Sequence, residues 1–121
     1  MMSGNVSGRH ALVPITLRRD NGPDLTIEFV VDTGFTYDLT LPPAAVAALG
    51  LPLINIMAAN LADDSTIQVS VHAANIAWQD QEISVRVLAM GVRPLLGMAL
   101  LEGSELVIQC ADNGLVTIDT L

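Results

Sequence analysis

Asp32-Thr33-Gly34 is the stretch of this chain best suited to chemistry: a carboxylate, a short hydroxyl and a glycine after the apolar run Leu25–Val31. That run alternates and is rich in β-branched residues (Thr26, Ile27, Val30, Val31), so it reads as a strand. An Asp at its end sits where the backbone must turn. Gly34 is expected to supply positive-φ freedom or a close backbone approach there. The tripeptide occurs by chance in roughly one chain in fifty of this length, and a plain strand-ending turn would use the same residues. Its surroundings must decide.

Other candidate groups are few. Asp63 and Asp64 could be imagined as metal ligands, but no further carboxylate or histidine stands at a supporting spacing, so a solvated loop tip is expected and neither metal nor cofactor is implied. His10 reads as solvated. His72 lies on the strand face opposite Val69 and Val71 and reads as a surface or hydrogen-bonded histidine. Cys110, the one cysteine, follows Leu106-Val107-Ile108-Gln109 and reads as a packed thiol on a strand. A lone cysteine allows no intramolecular disulfide, which fits a reducing compartment such as the cytoplasm.

Bulk properties bound the rest. The chain has 121 residues, 51% apolar and 15% charged, which excludes disorder. It is long enough to bury roughly two thirds of its unfolded surface. Only 3% is aromatic, so Val, Leu, Ile and Ala must build the core. Five basic against thirteen acidic residues give a net charge of −8. Nucleic acid and anionic membrane, which need a basic face, are therefore not expected as partners. No basic region followed by an apolar stretch opens the chain, so no secretory signal is expected. The longest apolar runs are broken well short of a bilayer span.

In order, residues 1–10 read as a loose N-terminal lead-in and 11–121 as a single domain. Ala11–Arg18 and Leu25–Val31 form a hairpin around the turn Asp20-Asn21-Gly22-Pro23, with Asp32 delivered to its tip. Tyr37–Leu41 is extended. Pro42-Pro43 opens a short helix, Ala44–Leu49, closed by Gly50. Leu53–Ala58 and Thr66–Ala77 form a long hairpin with the polar tip Asn60, Leu61, Ala62, Asp63, Asp64 and Ser65. Glu82–Met90 is another strand. Pro94–Glu102 is buried, with one or two helical turns. Ser104–Cys110 and Leu115–Leu121 pair around Asn113-Gly114, a hairpin signal. About eight strands and one or two short helices predict a mainly β, partly closed barrel.

With these pieces in place, the sequence resembles the single-domain aspartic proteases related to retroviral proteases (retropepsin-like, clan AA). Three features carry the resemblance: the apolar strand into Asp32-Thr33-Gly34, the polar-tipped hairpin at the place of the family's flap, and Leu95-Leu96-Gly97-Met98. That last piece matches the paired-apolar-then-glycine motif before the family's C-terminal helix. Order and spacing agree over roughly residues 11 to 120. Asp32-Thr33-Gly34-Phe35 with Leu39-Thr40-Leu41-Pro42, and Gly97 through Gly103, look like a prokaryotic branch of the group. Two features depart from the pattern. Phe35 stands where retroviral and pepsin-like members have a small residue able to bond the carboxylate, and it would pack instead. The hairpin tip lacks the glycine-rich sequence of retroviral flaps.

The resemblance implies a closed barrel and peptide hydrolysis by two carboxylates sharing one proton. Only one such motif is present; Asp38, Asp112 and Asp119 are not followed by Thr-Gly or Ser-Gly. It therefore implies a symmetric homodimer in which Asp32 meets its own copy, acting on a peptide or protein substrate. By the same resemblance Thr33 bonds across the interface, Gly34 supports the loop, and the N- and C-terminal strands, including Val116–Leu121, join the dimer sheet. Two alternatives stand beside this. One is an aspartyl-phosphate enzyme, which needs an acidic residue or lysine just after the nucleophile and a parallel α/β core. The other is a non-catalytic dimeric β-barrel that binds a peptide in the same groove.

Overall fold

The computed structural model describes residues 1–121. Ten strands and two short helices follow in the order β1 (Met2–Ser7), β2 (His10–Arg18), β3 (Leu25–Val31), β4 (Leu39–Leu41), α1 (Pro43–Leu49), β5 (Leu53–Asn60), β6 (Thr66–Trp78), β7 (Gln81–Ala89), β8 (Leu95–Leu96), α2 (Met98–Leu101), β9 (Ser104–Ile108) and β10 (Leu115–Thr120). All strands belong to one mainly antiparallel sheet in the order β5-β6-β7-β4-β8-β3-β2-β1-β10-β9. Two further residue pairs, Leu17–Ile76 and Arg18–Asn75, join β2 to β6. No helix is long and apolar enough to cross a membrane.

Period-two alternation builds the core. β2 turns Val13, Ile15 and Leu17 inward, and β10 turns Val116 and Ile118 inward to the same cluster. Phe29 is the one aromatic fully buried there. β6 serves two cores from opposite faces. Val69 and Val71 point one way, to Leu88 of β7. Ala74 and Ile76 point the other way, to Val85 and Val87. A strand of 13 residues is long enough to leave one core and enter another.

Local chemistry places the ends. Pro43 opens α1 and Gly50 ends it in the left-handed region at φ 64°, donating its N–H to the Ala47 carbonyl. A helix of seven residues does not stand alone in water; buried Val46 fastens it to the core. Pro14 sits in β2 beyond the stretch that pairs with β1, where its missing N–H costs nothing to the ladder.

Three expectations from sequence change here. Residues 1–10 are not a loose lead-in: Met2–Ser7 is strand β1, held between β2 and β10. The sequence signal was weak because Gly4 breaks the apolar alternation. Gly4 is there for space, since a Cβ would stand 1.8 Å from the Leu12 carbonyl oxygen. Asp32 lies not at the tip of the β2–β3 hairpin but at its open end, opposite the turn after Arg18. Cys110 is exposed, beyond the end of β9, not packed on it. β10 has β1 on one side along Leu115–Ile118 and β9 on the other along Val116–Thr120, both from its own chain.

Thr40 is the one buried polar residue, 1% exposed. Its hydroxyl donates to the Arg93 carbonyl at 3.3 Å and accepts the Leu95 N–H at 3.1 Å, fixing the entry into β8. Thr40→Val keeps the volume but orphans both groups. Urea unfolding is expected to show a loss of about 1–2 kcal/mol with an unchanged m-value.

Candidate active site

Loop 32–38 joins β3 to β4, yet these strands are not neighbours. β8, from late in the chain, lies between them, parallel to β3 (Val30–Leu95, Val31–Leu96) and antiparallel to β4 (Leu39–Leu96, Thr40–Leu95). The loop must therefore arch over the end of β8, and it is bonded to it throughout. Asp32 N–H donates to the Leu96 carbonyl at 2.9 Å, and Gly97 N–H to the Asp38 carbonyl at 2.8 Å. Met98 N–H reaches the Phe35 carbonyl at 2.8 Å, and Ala99 N–H the Tyr37 carbonyl at 3.3 Å. Asp38 adds a side-chain anchor, its Oδ2 accepting the Arg86 N–H at 3.0 Å.

Asp32 is half-buried at this arch. Its own backbone carbonyl accepts the Phe35 N–H at 3.1 Å, closing the turn, and its Oδ1 accepts the Gly34 N–H at 3.0 Å. The carboxylate is thus oriented by the backbone of its own loop. Gly34 does not use positive φ, contrary to one of the two roles expected of it. A Cβ there would stand 3.3 Å from Asp32 Oδ1, so the glycine admits the close approach of carboxylate to backbone. Thr33 is exposed beside it. These three residues are brought together as the sequence suggested.

Phe35 packs, as its type requires. It is half-buried against Val69, Val71 and Leu88, with Met57, Ala59 and Met90 around it, and its ring centroid lies 5.8 Å from that of Tyr37. Met57 and Ala59 come from β5, and Val69 and Val71 from β6. Through this cluster the inner face of the β5–β6 hairpin meets the Asp32 loop. A cavity of about 240 Å³ opens beside it, lined by Tyr37 and Asp38 of the loop, Asn55, Met57 and Val71 of the hairpin, and Arg86 of β7 among others.

The tip residues bond to one another. Leu61 N–H donates to the Ser65 carbonyl at 2.8 Å, Asp64 N–H to the Leu61 carbonyl at 3.0 Å, and Ser65 N–H to Asp63 Oδ1 at 3.0 Å. The Ser65 hydroxyl also donates to Asp63 Oδ1. The Ser65 hydroxyl, then the Ser65 N–H, hold the Asp63 carboxyl below its ordinary value. The turn is therefore fully supported above the ordinary Asp pKa and loses that support as pH falls through the lowered one. His72 is satisfied, Nδ1 at 2.9 Å from the Leu51 carbonyl and Nε2 at 3.0 Å from Ser70 Oγ.

Sequence reasoning gave Thr40 and Asp38 no positioning role. A polar residue inside an apolar triplet, Leu39-Thr40-Leu41, was the available signal for Thr40. Asp38 carried none, because its partner Arg86 is 48 residues away.

The fold matches a retropepsin-like aspartic protease from Rickettsia conorii, whose crystal structure aligns over 98% of this chain and 91% of that one, with a TM-score of 0.56 and 21% sequence identity. At that identity the likeness is one of fold. No protein-family model matches the sequence, and no curated protein matches it.

Proposed function

We propose that this chain is an aspartic endopeptidase that works as a homodimer, with one Asp32 from each copy forming the catalytic pair. The observation that carries the reading is the Asp32-Thr33-Gly34 arch, hung by backbone hydrogen bonds on Leu96–Ala99 within a retropepsin-like fold. In the pair, the ionised carboxylate takes a proton from a water, and the protonated one donates to the scissile carbonyl. Repulsion between like charges about 3 Å apart keeps one proton shared, and the apparent pKa values belong to the pair. The Gly34 N–H orients each carboxylate, and the exposed Thr33 supplies a hydroxyl to the opposite copy. The two residue pairs that join β2 to β6 support a barrel-like closure of the sheet. No metal or cofactor takes part. The exposed, unpaired Cys110 suits a reducing compartment, the cytoplasm.

One chain carries half a site, so cleavage must follow the dimer. Sedimentation velocity across micromolar concentrations is expected to show reversible dimerisation. Specific activity on a mixed peptide library should rise with the dimer fraction. A strict monomer that still cleaves would overturn the two-fold site.

The hairpin Leu53–Trp78 is assigned as a flap, because exposed Asn60–Ser65 joins two arms whose inner face reaches Phe35. Hydrogen exchange should find Asn60–Ser65 among the least protected amides of the free protein, since their bonds close only within the tip. Protection equal to that of β6 would argue against it.

Phe35 supports a second reading, a dimeric peptide-binding barrel without cleavage. Its ring is spent on the apolar cluster, so it offers the carboxylate no hydroxyl. Saturable peptide binding with no cleavage from acid to neutral pH would favour it.

A further inference from the structure

We propose that this chain selects substrates carrying a carboxamide side chain, glutamine or asparagine, and reads it with Asp38 and Arg86 in the cavity beside the Asp32 loop. The inference rests on the peptidase reading just given and names the substrate that its groove takes.

The sheet sets the place of the cavity. Asn55, Val71 and Leu88 stand in one row across β5, β6 and β7. Alternation brings Arg86 to the same face as Leu88, because Val85 and Val87 point into the main core. Tyr37 and Asp38 line the cavity from the other side. The loop that carries Asp32 thus supplies one wall, and the hairpin assigned as a flap supplies another. A volume of about 240 Å³ is below the range of small-molecule sites. It suits one side chain of an extended peptide laid across the loop.

Charge decides which side chain. Asp38 is half-buried, and its Oδ2 is engaged by the Arg86 backbone N–H at 3.0 Å. Oδ1 is left open to a donor. Both ion pairs of the chain belong to Arg18, so the Arg86 guanidinium and the Asp38 carboxylate share a cavity without closing on each other. An incoming carboxylate is attracted by Arg86 and repelled by Asp38, and an incoming ammonium meets the reverse. A hydrocarbon side chain displaces water from both groups and gives them no partner. A carboxamide is neutral and carries both functions: its oxygen accepts from the guanidinium while its NH₂ donates to Asp38 Oδ1. Met57, Val71 and Leu88 offer apolar surface to the methylene stem.

The test is a mixed peptide library, with residue preference at each position around the cut read by mass spectrometry. At one position the wild type should favour glutamine or asparagine over glutamate, lysine and methionine by at least about tenfold in kcat/KM. Asp38→Asn keeps an oxygen for the Arg86 N–H and removes the negative charge, so preference at that position should move to glutamate. Arg86→Met removes the positive charge and leaves its backbone N–H in place, so preference should move to lysine. Opposite shifts at a single position are not what a merely structural role produces. A wild type without carboxamide preference, or variants that keep the wild-type profile, would overturn the assignment. Capture of the same library by the Asp32→Asn protein separates the two proposals. Selective capture of glutamine and asparagine peptides by a chain whose wild type cleaves nothing retains this specificity and loses the peptidase. Cleavage indifferent to the residue at every position does the reverse, and a chain that neither cleaves nor captures selectively overturns both.

Discussion

Asp32→Asn is expected to reduce peptide cleavage by at least about 10³-fold while the dimer persists. General acid–base catalysis by a positioned side chain contributes about 10²–10⁴-fold, and one substitution in a homodimer removes both partners at once. Asn fits the same space, and its side-chain oxygen can still accept the Gly34 N–H that now meets Asp32 Oδ1. The anchors from Asp32 N–H to Leu96 and from Gly97 to Asp38 are backbone bonds and do not change. Loss of folding therefore does not explain loss of activity, and removal of carboxylate repulsion is expected to tighten the dimer. The wild type should show a bell-shaped dependence of kcat/KM on pH, reporting the two apparent pKa values of the pair. The assay is a mixed peptide library with both proteins side by side. Equal cleavage by both would place the activity elsewhere.

A large loss of stability is expected from Gly97→Ala. A Cβ at this position would stand 2.1 Å from the Tyr37 carbonyl oxygen, 2.5 Å from Phe35 Cδ2 and 2.8 Å from the Phe35 carbonyl oxygen. Two of those three atoms are backbone of the arch over β8, so relief requires the arch to lift. Lifting it breaks the bonds from Gly97 N–H to Asp38, Met98 N–H to Phe35 and Ala99 N–H to Tyr37. Overpacking alone costs about 1–3 kcal/mol, and each strained hydrogen bond adds about 1 kcal/mol. A loss of about 3 kcal/mol or more is expected in urea unfolding. Whatever protein remains folded should lose cleavage, because the displaced arch carries Asp32. Unchanged stability would mean that the arch is not held against Gly97.

The two substitutions probe different levels of the same site. The carboxylate was legible from its own neighbours: an alternating β-branched strand, then Asp, then glycine, is a local pattern. So were β3, whose bounds Leu25–Val31 hold to the residue, α1 with its proline start and glycine stop, and the polar-tipped hairpin. Each is set by alternation, backbone freedom or a missing N–H within a few residues.

What local pattern could not reveal was who sits beside whom. Nothing near Asp32 says that Leu95-Leu96, from the far end of the chain, threads between β3 and β4, or that Gly97 is small because Tyr37 and Phe35 close over it. Leu95-Leu96 makes too short a strand to alternate, so only its partners define it. β1 was missed for a related reason: its glycine exists to admit the Leu12 carbonyl, a neighbour on another strand. The fate of Val116–Thr120 turned on strand order as well. Its sequence marked a strand, and the structure turns Val116 and Ile118 inward, but alternation says which face is buried and not which edge is free. Edges are a property of the assembled sheet, set by strand order and not by any one strand's sequence.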